Sequence, residues 1–138
     1  MSAKLEVQNA VFSALTSYST FTVATQGRLF DHVTDNSDYP YTCLAATNTL
    51  PANRHGRKGW NHLFTFTINT QPGVLGSYTR EKIFGAMDDV LNLKTFPLST
   101  TAYNLVKVVL VSKNDFEDND IWGSNVTYSF IVHDSREV

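Results

Sequence analysis

Leu63-Phe64-Thr65-Phe66-Thr67-Ile68-Asn69-Thr70, the stretch LFTFTINT, decides the fold. Side chains alternate across an extended chain with a period of two, so Phe64, Phe66 and Ile68 share one face and Leu63, Thr65 and Thr67 the other. Aromatic and β-branched residues at this density suit a pleated, half-buried surface, and the spacing predicts a strand. The two phenylalanines are its expected buried face, packed beneath helices.

Downstream, Pro72-Gly73 and Gly76 break the chain and Ser77 is positioned to cap a helix. Ile83, Phe84, Met87, Val90 and Leu91 then recur at helical spacing to about residue 92. Gly85 lies inside that pattern, at a cost of about 1 kcal/mol relative to alanine, which implies either a close backbone approach or simple tolerance. Pro97 closes the region, and Tyr103 to Ser112 (YNLVKVVLVS) is strand-like with apolar residues on both faces, the pattern of a central strand. An acidic turn, Asn114 to Asp120, leads to Val126-Thr127-Tyr128-Ser129-Phe130-Ile131-Val132, whose Val126, Tyr128, Phe130 and Val132 form one apolar face.

Upstream, LPANRHGRKGW at 50 to 60 reads as a loop punctuated by Pro51, Asn53, Gly56 and Gly59. Tyr39 to Ala45 reads as extended, with Pro40 at its beginning because proline donates nothing to a sheet ladder. The polar turn Thr34 to Asp38 separates it from a short candidate strand, Arg28 to Val33, itself preceded by a Gln26-Gly27 turn. Val7, Val11, Ala14, Leu15 and Tyr18 form the stripe of an amphipathic helix over roughly residues 3 to 18. Ser19, Thr20 and Thr22 crowd the pattern with hydroxylated and β-branched residues and end it. The order α-β-β-β-α-β-β predicts an α+β fold in one domain, 1–138. Its sheet is mostly antiparallel or mixed, with two helices on one face.

With 42% apolar and 17% charged residues, the 138-residue chain is long enough to bury a core without staples. A net charge of −2, from 11 Lys+Arg against 13 Asp+Glu, argues against a protein that coats nucleic acid, so positive surface must be local. The single cysteine, Cys43, forms no intrachain disulfide, and MSAKLEVQNAVFSAL holds no apolar run long enough for a signal peptide or membrane span. The expected compartment is a reducing cytoplasm.

Catalytic constellations are sparse. Asp31-His32 could orient an imidazole, and Cys43 with a histidine could make a nucleophile and base, but a lone thiol in an apolar strand is most often core. Histidines 32, 55, 62 and 133 lack metal-ligand spacing, and Gly56-x-x-Gly59 lacks the strand and helix of a phosphate loop. No catalytic, cofactor or metal site is expected. What stands out is a segregation of charge. Arg54, His55, Arg57 and Lys58 form a basic loop beside Trp60, and Asp115, Glu117, Asp118 and Asp120 an acidic one beside Trp122. In a monomer these are unrelated turns, whereas between neighbouring copies they are complementary, with the tryptophans as anchors or as core residues at strand starts.

These features together resemble the tail-completion (tail-terminator, or head–tail joining) proteins of long-tailed bacteriophages, from about residue 5 to 134. Val7, Ala10, Val11, Ala14 and Leu15 lie on the N-terminal helix. Gly27-Arg28-Leu29-Phe30-Asp31-His32-Val33 followed by Tyr39-Pro40-Tyr41 is similar to the family's G-R-[IV]-[YF]-D…P-Y pattern, and a basic loop ending in Gly59 precedes the long strand. Two departures stand against it. Ile83-Phe84-Gly85-Ala86-Met87 is more apolar than the family's second helix, and Asp120-Ile121-Trp122-Gly123 is less basic than its last turn. The resemblance implies a non-enzymatic virion protein that assembles as a ring, a homo-hexamer, on the neck-proximal end of the tail tube after assembly in the host cytoplasm. Its implied partners are its own copies, the major tail tube protein and the head-completion or neck proteins. Genomic double-stranded DNA passes through the lumen without specific binding, and no membrane is involved. Two other readings compete: a single-stranded nucleic-acid binding module built on Phe64 and Phe66 beside the basic loop, and a cysteine hydrolase requiring a reactive, exposed Cys43.

Overall fold

The computed structural model describes residues 3–32, 38–53, 58–95, 98 and 103–134. Three helices, α1 (Ala3–Ser17), α2 (Ser19–Ala24) and α3 (Val74–Leu91), accompany five strands: β1 (Leu29–Phe30), β2 (Tyr41–Pro51), β3 (Gly59–Thr70), β4 (Tyr103–Glu117) and β5 (Trp122–Asp134). The strands form one mixed sheet in the order β1-β2-β3-β5-β4. Only the β1–β2 pair is parallel; β3 runs antiparallel to both β2 and β5, and β5 to β4. This is the α+β architecture that the order of periodicities predicts.

The core follows from the two periods. Phe64, Phe66 and Ile68 of β3 and Val126, Tyr128, Phe130 and Val132 of β5 are all fully buried, in a register that sets Phe66 opposite Val126 and Phe64 opposite Tyr128. Val7, Val11 and Leu15 of α1 and Ile83, Met87 and Leu91 of α3 close over them. Each such side chain contributes about 1.5–3 kcal/mol on leaving water, enough to hold both helices to this face. The opposite face of the sheet is polar and laced across strands. Thr65 and Thr127 share a hydroxyl hydrogen bond of 2.9 Å, the Thr67 hydroxyl donates to Asn125 at 2.8 Å, and that of Ser129 donates to Asn61.

Four features depart from expectation. First, Ser19–Ala24 is helical despite its threonines: Phe21 and Ala24, three apart, are buried, and that burial outweighs weak propensity. Gln26 and Gly27 end α2 at φ 55° and 72°, with the Gly27 N–H donating to the Thr22 carbonyl at 2.8 Å, so this turn is as read. Second, β4 is an edge strand and not a central one. Register shifts between Leu105 and Lys107 and between Leu110 and Ser112 leave Val106 and Val111 as exposed bulge residues, so the apolar run has bulges rather than two buried faces. Third, α3 begins at Val74 after Gly73, and Ser77 lies inside the helix instead of capping it; its hydroxyl accepts from Arg80 at 3.3 Å. Fourth, strand lengths differ: of the candidate strand Arg28 to Val33 only Leu29–Phe30 is a strand among the described residues, while the other four run longer than predicted. β2 continues to Pro51 and β3 starts at Gly59, and β4 continues to Glu117, so the turn it makes with β5 is reduced to Asp118–Ile121. Val33, the turn residues 34–37 and Pro97 lie outside the described residues.

Candidate functional site

Lys58, the described member of the predicted basic group, and the predicted acidic group stand at opposite ends of the sheet. Lys58 immediately precedes Gly59, which pairs with His133, whereas Glu117 pairs with Trp122, itself opposite Thr70. The twelve residues of β3 therefore separate them by about 36 Å at about 3.3 Å per residue. Among the described residues that separation leaves Lys58 out of reach of the acidic end within one chain.

At the basic end, the base of the loop is cinched. The Ala52 N–H donates to the Gly59 carbonyl and the Asp134 N–H to the Lys58 carbonyl, both at 2.9 Å, and the Gly59 N–H reaches Asn53 Oδ1 at 3.2 Å. Only glycine fits at 59, because a Cβ there would come within 2.4 Å of the Ala52 carbonyl oxygen. Lys58 is exposed; Arg54, His55 and Arg57 lie outside the described residues. Trp60 is half-buried and meets Tyr103 edge-on at 5.7 Å. With Ala3, Lys4, Thr49 and His62 these rings line a hollow of about 240 Å³. His62, which sequence reading left unassigned, is buried, and its Nδ1 shares a 3.0 Å hydrogen bond with the Thr49 hydroxyl. Its Nε2 has no hydrogen-bond partner among the described residues. Burial, reinforced by the charge of Lys4, pushes the imidazole down to about 4, so it is neutral at pH 7.

At the acidic end the carboxylates divide into two sets. Asp115 and Glu117 lie on β4, where buried Arg80 of α3 approaches Glu117 at 3.4 Å and Asp115 at 3.9 Å. Lys113 reaches Asp115 at 2.7 Å and Glu81 at 2.9 Å while lying over the Phe84 ring. Burial works against ionisation of Asp115. The hydrogen bonds from Lys113 and Ser124, with the charges of Lys113 and Arg80, outweigh it and hold the carboxyl below its ordinary value. Asp118 and Asp120, in the turn, are exposed and make no ion pair among the described residues, and Trp122 is half-buried as the first residue of β5. Arg80 was the missed partner. Its signal is the helical stripe Gly76, Arg80, Ile83, Met87, in which a cation occupies a position otherwise facing the core.

Cys43 is buried, and burial pushes its thiol above the ordinary value, which disfavours the thiolate a nucleophile needs. Asp31 and His32 pair at 2.8 Å in the open. Among the described residues no group of three or more His, Cys, Asp or Glu could hold a metal ion, and no helix is long and apolar enough to cross a membrane. Phe64 and Phe66 are fully buried beneath α1 and α3, with Phe12 at 6.4 Å from Phe66, so they offer no platform for stacked bases.

No protein-family model and no curated protein matches the chain. Among solved structures the fold matches a chain of the "Virion of native gene transfer agent (GTA) particle" with a TM-score of 0.81, over 96% of this chain and 98% of that one. This chain shares the fold of that chain of the particle. At 18% identity the likeness is one of backbone, and it spans both molecules almost completely. What the shared fold fixes here is the sheet, and with it the separation of Lys58 from the acidic end.

Proposed function

We propose that this protein is a structural component of a phage-type virion that caps the tail tube as a ring of identical copies, ends tube polymerisation and presents the surface to which the head's neck proteins join. The observation that carries the reading is the end-to-end likeness to a chain of a virion particle, over 96% of this chain and 98% of that one. The polarity of the sheet supports it. A chain with Lys58 at one end and Asp118 and Asp120 at the other, about 36 Å apart, is complementary to its neighbour and not to itself. Contacts of that heterologous kind build a ring when the rotation between neighbours closes. On this reading the ring is a homo-hexamer, contacting the major tail tube protein on one side and neck proteins on the other. It resides at the neck-proximal end of the tail after assembly in the host cytoplasm. A chain of net charge −2 suits a lumen that passes genomic DNA, because each phosphate neutralised would add affinity that slows transit.

Replacing Arg54, Arg57 and Lys58 together by alanine tests the reading. The monomer should fold as before, while ring formation and head–tail joining in an assembly assay fall sharply. Full infectivity of the triple variant removes the role of the basic loop. Stable monomers of the wild-type protein, both free and on purified tail tubes, remove the ring.

A further inference from the structure

The first turn of α3 is apolar where it meets water. Val74, Leu75 and Tyr78 are 85%, 82% and 65% exposed, and together they form a knob at the end of the sheet where β3 finishes. Nothing in the helix requires them, since the face buried against the sheet is supplied by Ile83, Met87 and Leu91. Large apolar side chains grouped on a surface mark a contact, because each gains about 1.5–3 kcal/mol on leaving water. Close packing fixes the knob in place: a Cβ on Gly76 would fall 1.6 Å from the Gln71 carbonyl oxygen, so the turn presenting the knob is tied to the end of β3.

We infer that successive copies of this chain dock knob to hollow, with Val74, Leu75 and Tyr78 of one copy seated in the hollow beside Trp60, His62 and Tyr103 of the next. This rests on the ring reading and specifies the contact that builds it. Position selects the hollow. It lies at the start of β3, at the opposite end from the knob, so the contact is heterologous and propagates round a ring. A second recess, of about 180 Å³ beside Tyr39, Pro40 and Gln71, sits at the knob's own end and already has Leu75 in its wall, and a third, of about 350 Å³ beside Lys4, His32 and Leu44 to Thr47, lies against the part of β2 that pairs with the middle of β3 rather than at its far end.

Charge selects the partner. Lys4 lines the hollow and Lys58 is exposed at the same end, whereas Asp118 and Asp120 stand exposed at the knob's end with Asp115 and Glu117 already matched internally. A second copy therefore brings carboxylates to cations at the moment it brings apolar side chains to an aromatic-walled hollow. Two copies meeting hollow end to hollow end oppose Lys4 and Lys58 of each to those of the other, whereas at the knob's end the carboxylates stand with a cation, Lys82, over the Tyr78 ring at 5.9 Å. The range of this selection is short, about 8 Å at physiological salt, so it acts at contact and weakens as salt rises.

The test is cross-linking of the full chain, whose own Cys43 is buried. Under mild oxidation the double variant Leu75→Cys, Lys4→Cys should give a ladder of dimers, trimers and higher species on a non-reducing gel, and each single variant only monomers. Tyr78→Asp with Leu75→Asp, both on exposed positions, should keep the wild-type melting temperature and weaken self-association at least tenfold by light scattering. Dimers from Leu75→Cys alone overturn the inference in favour of a knob-to-knob contact. Wild-type rings without a ladder overturn it and leave the ring reading standing. Absence of both rings and ladder, free and on purified tail tubes alike, removes the two together. A knob variant that still forms rings but no longer binds tail tubes assigns the knob to the tube protein, and this docking fails.

Discussion

The side-chain oxygen of Asn92 accepts the N–H of Leu110 at 3.0 Å, on the free edge of β4. One residue on, the Leu93 N–H donates to the Val108 carbonyl at 2.9 Å, with Leu93 at φ 60°. The chain leaving α3 thus covers the middle of the sheet's longest edge, where exposed Val106 and Val111 would otherwise invite another strand. Asn92→Ala should cost about 1 kcal/mol through the orphaned amide and raise strand-mediated aggregation, read by urea unfolding and by light scattering over time. Asn92→Asp retains the acceptor and should restore both.

Gly85 is exposed on α3, and a Cβ built there meets nothing within 4 Å. The alternative of a close backbone approach is thereby settled in favour of tolerance. Gly85→Ala should stabilise the protein by about 0.5–1 kcal/mol, mainly by narrowing the unfolded ensemble, visible as a higher urea midpoint with an unchanged slope.

The sheet and core were legible in the sequence because each rests on a single period. The structure buries Phe64, Phe66 and Ile68 of the alternation in Leu63–Thr70 and Ile83, Met87 and Leu91 of the helical stripe, with Phe84 and Val90 packed partly buried against them. Reading failed where the period itself breaks. Two bulges in Tyr103–Glu117 shift its phase, so a chain that looks apolar on both faces is an edge strand. Phe21 buries a segment whose local composition disfavours helix. The charged ends were legible as composition but not as chemistry, since the pairing of Glu117 and Asp115 with Arg80 joins positions about 35 residues apart through a helix–strand contact. The hollow was illegible for the same reason: Lys4, Thr49, His62 and Tyr103 come from four separate elements.

Acid should weaken the fold through His62. Its imidazole takes a proton at about 4 when folded and near 6.5 when unfolded, so between those values the unfolded chain holds more protons and stability falls as pH is lowered. The loss is complete near pH 4, amounts to about 3 kcal/mol at about 1.4 kcal/mol per pH unit, and is absent above pH 7. The lowered value of Asp115 acts in the same direction at still lower pH, since a depressed carboxyl gives up its contribution as protons return. Urea midpoints measured from pH 7 to pH 4 should decline for the wild type and decline less for His62→Gln. Equal slopes in the two proteins would assign the acid sensitivity to the carboxylates alone.

Arg80 ties α3 to the end of β4 and, through its Nη1 to the Gly123 carbonyl at 3.4 Å, to the start of β5. Its side chain is buried, but the carboxylates it faces are between a third and a half exposed, so water screens the pairs. The full cost of breaking a buried ion pair, about 3–5 kcal/mol, therefore does not apply. Arg80→Met preserves most of the volume and removes the charge, and it should cost about 1–2 kcal/mol. It should also move the Asp115 carboxyl upward, because the Arg80 charge is one of the influences holding it down, while Lys113 keeps it from returning to the ordinary value. Chemical denaturation measures the first effect and a carboxyl NMR titration the second. A stability loss without movement of Asp115 would show that Arg80 acts through packing against Gly123 and Ser77 alone.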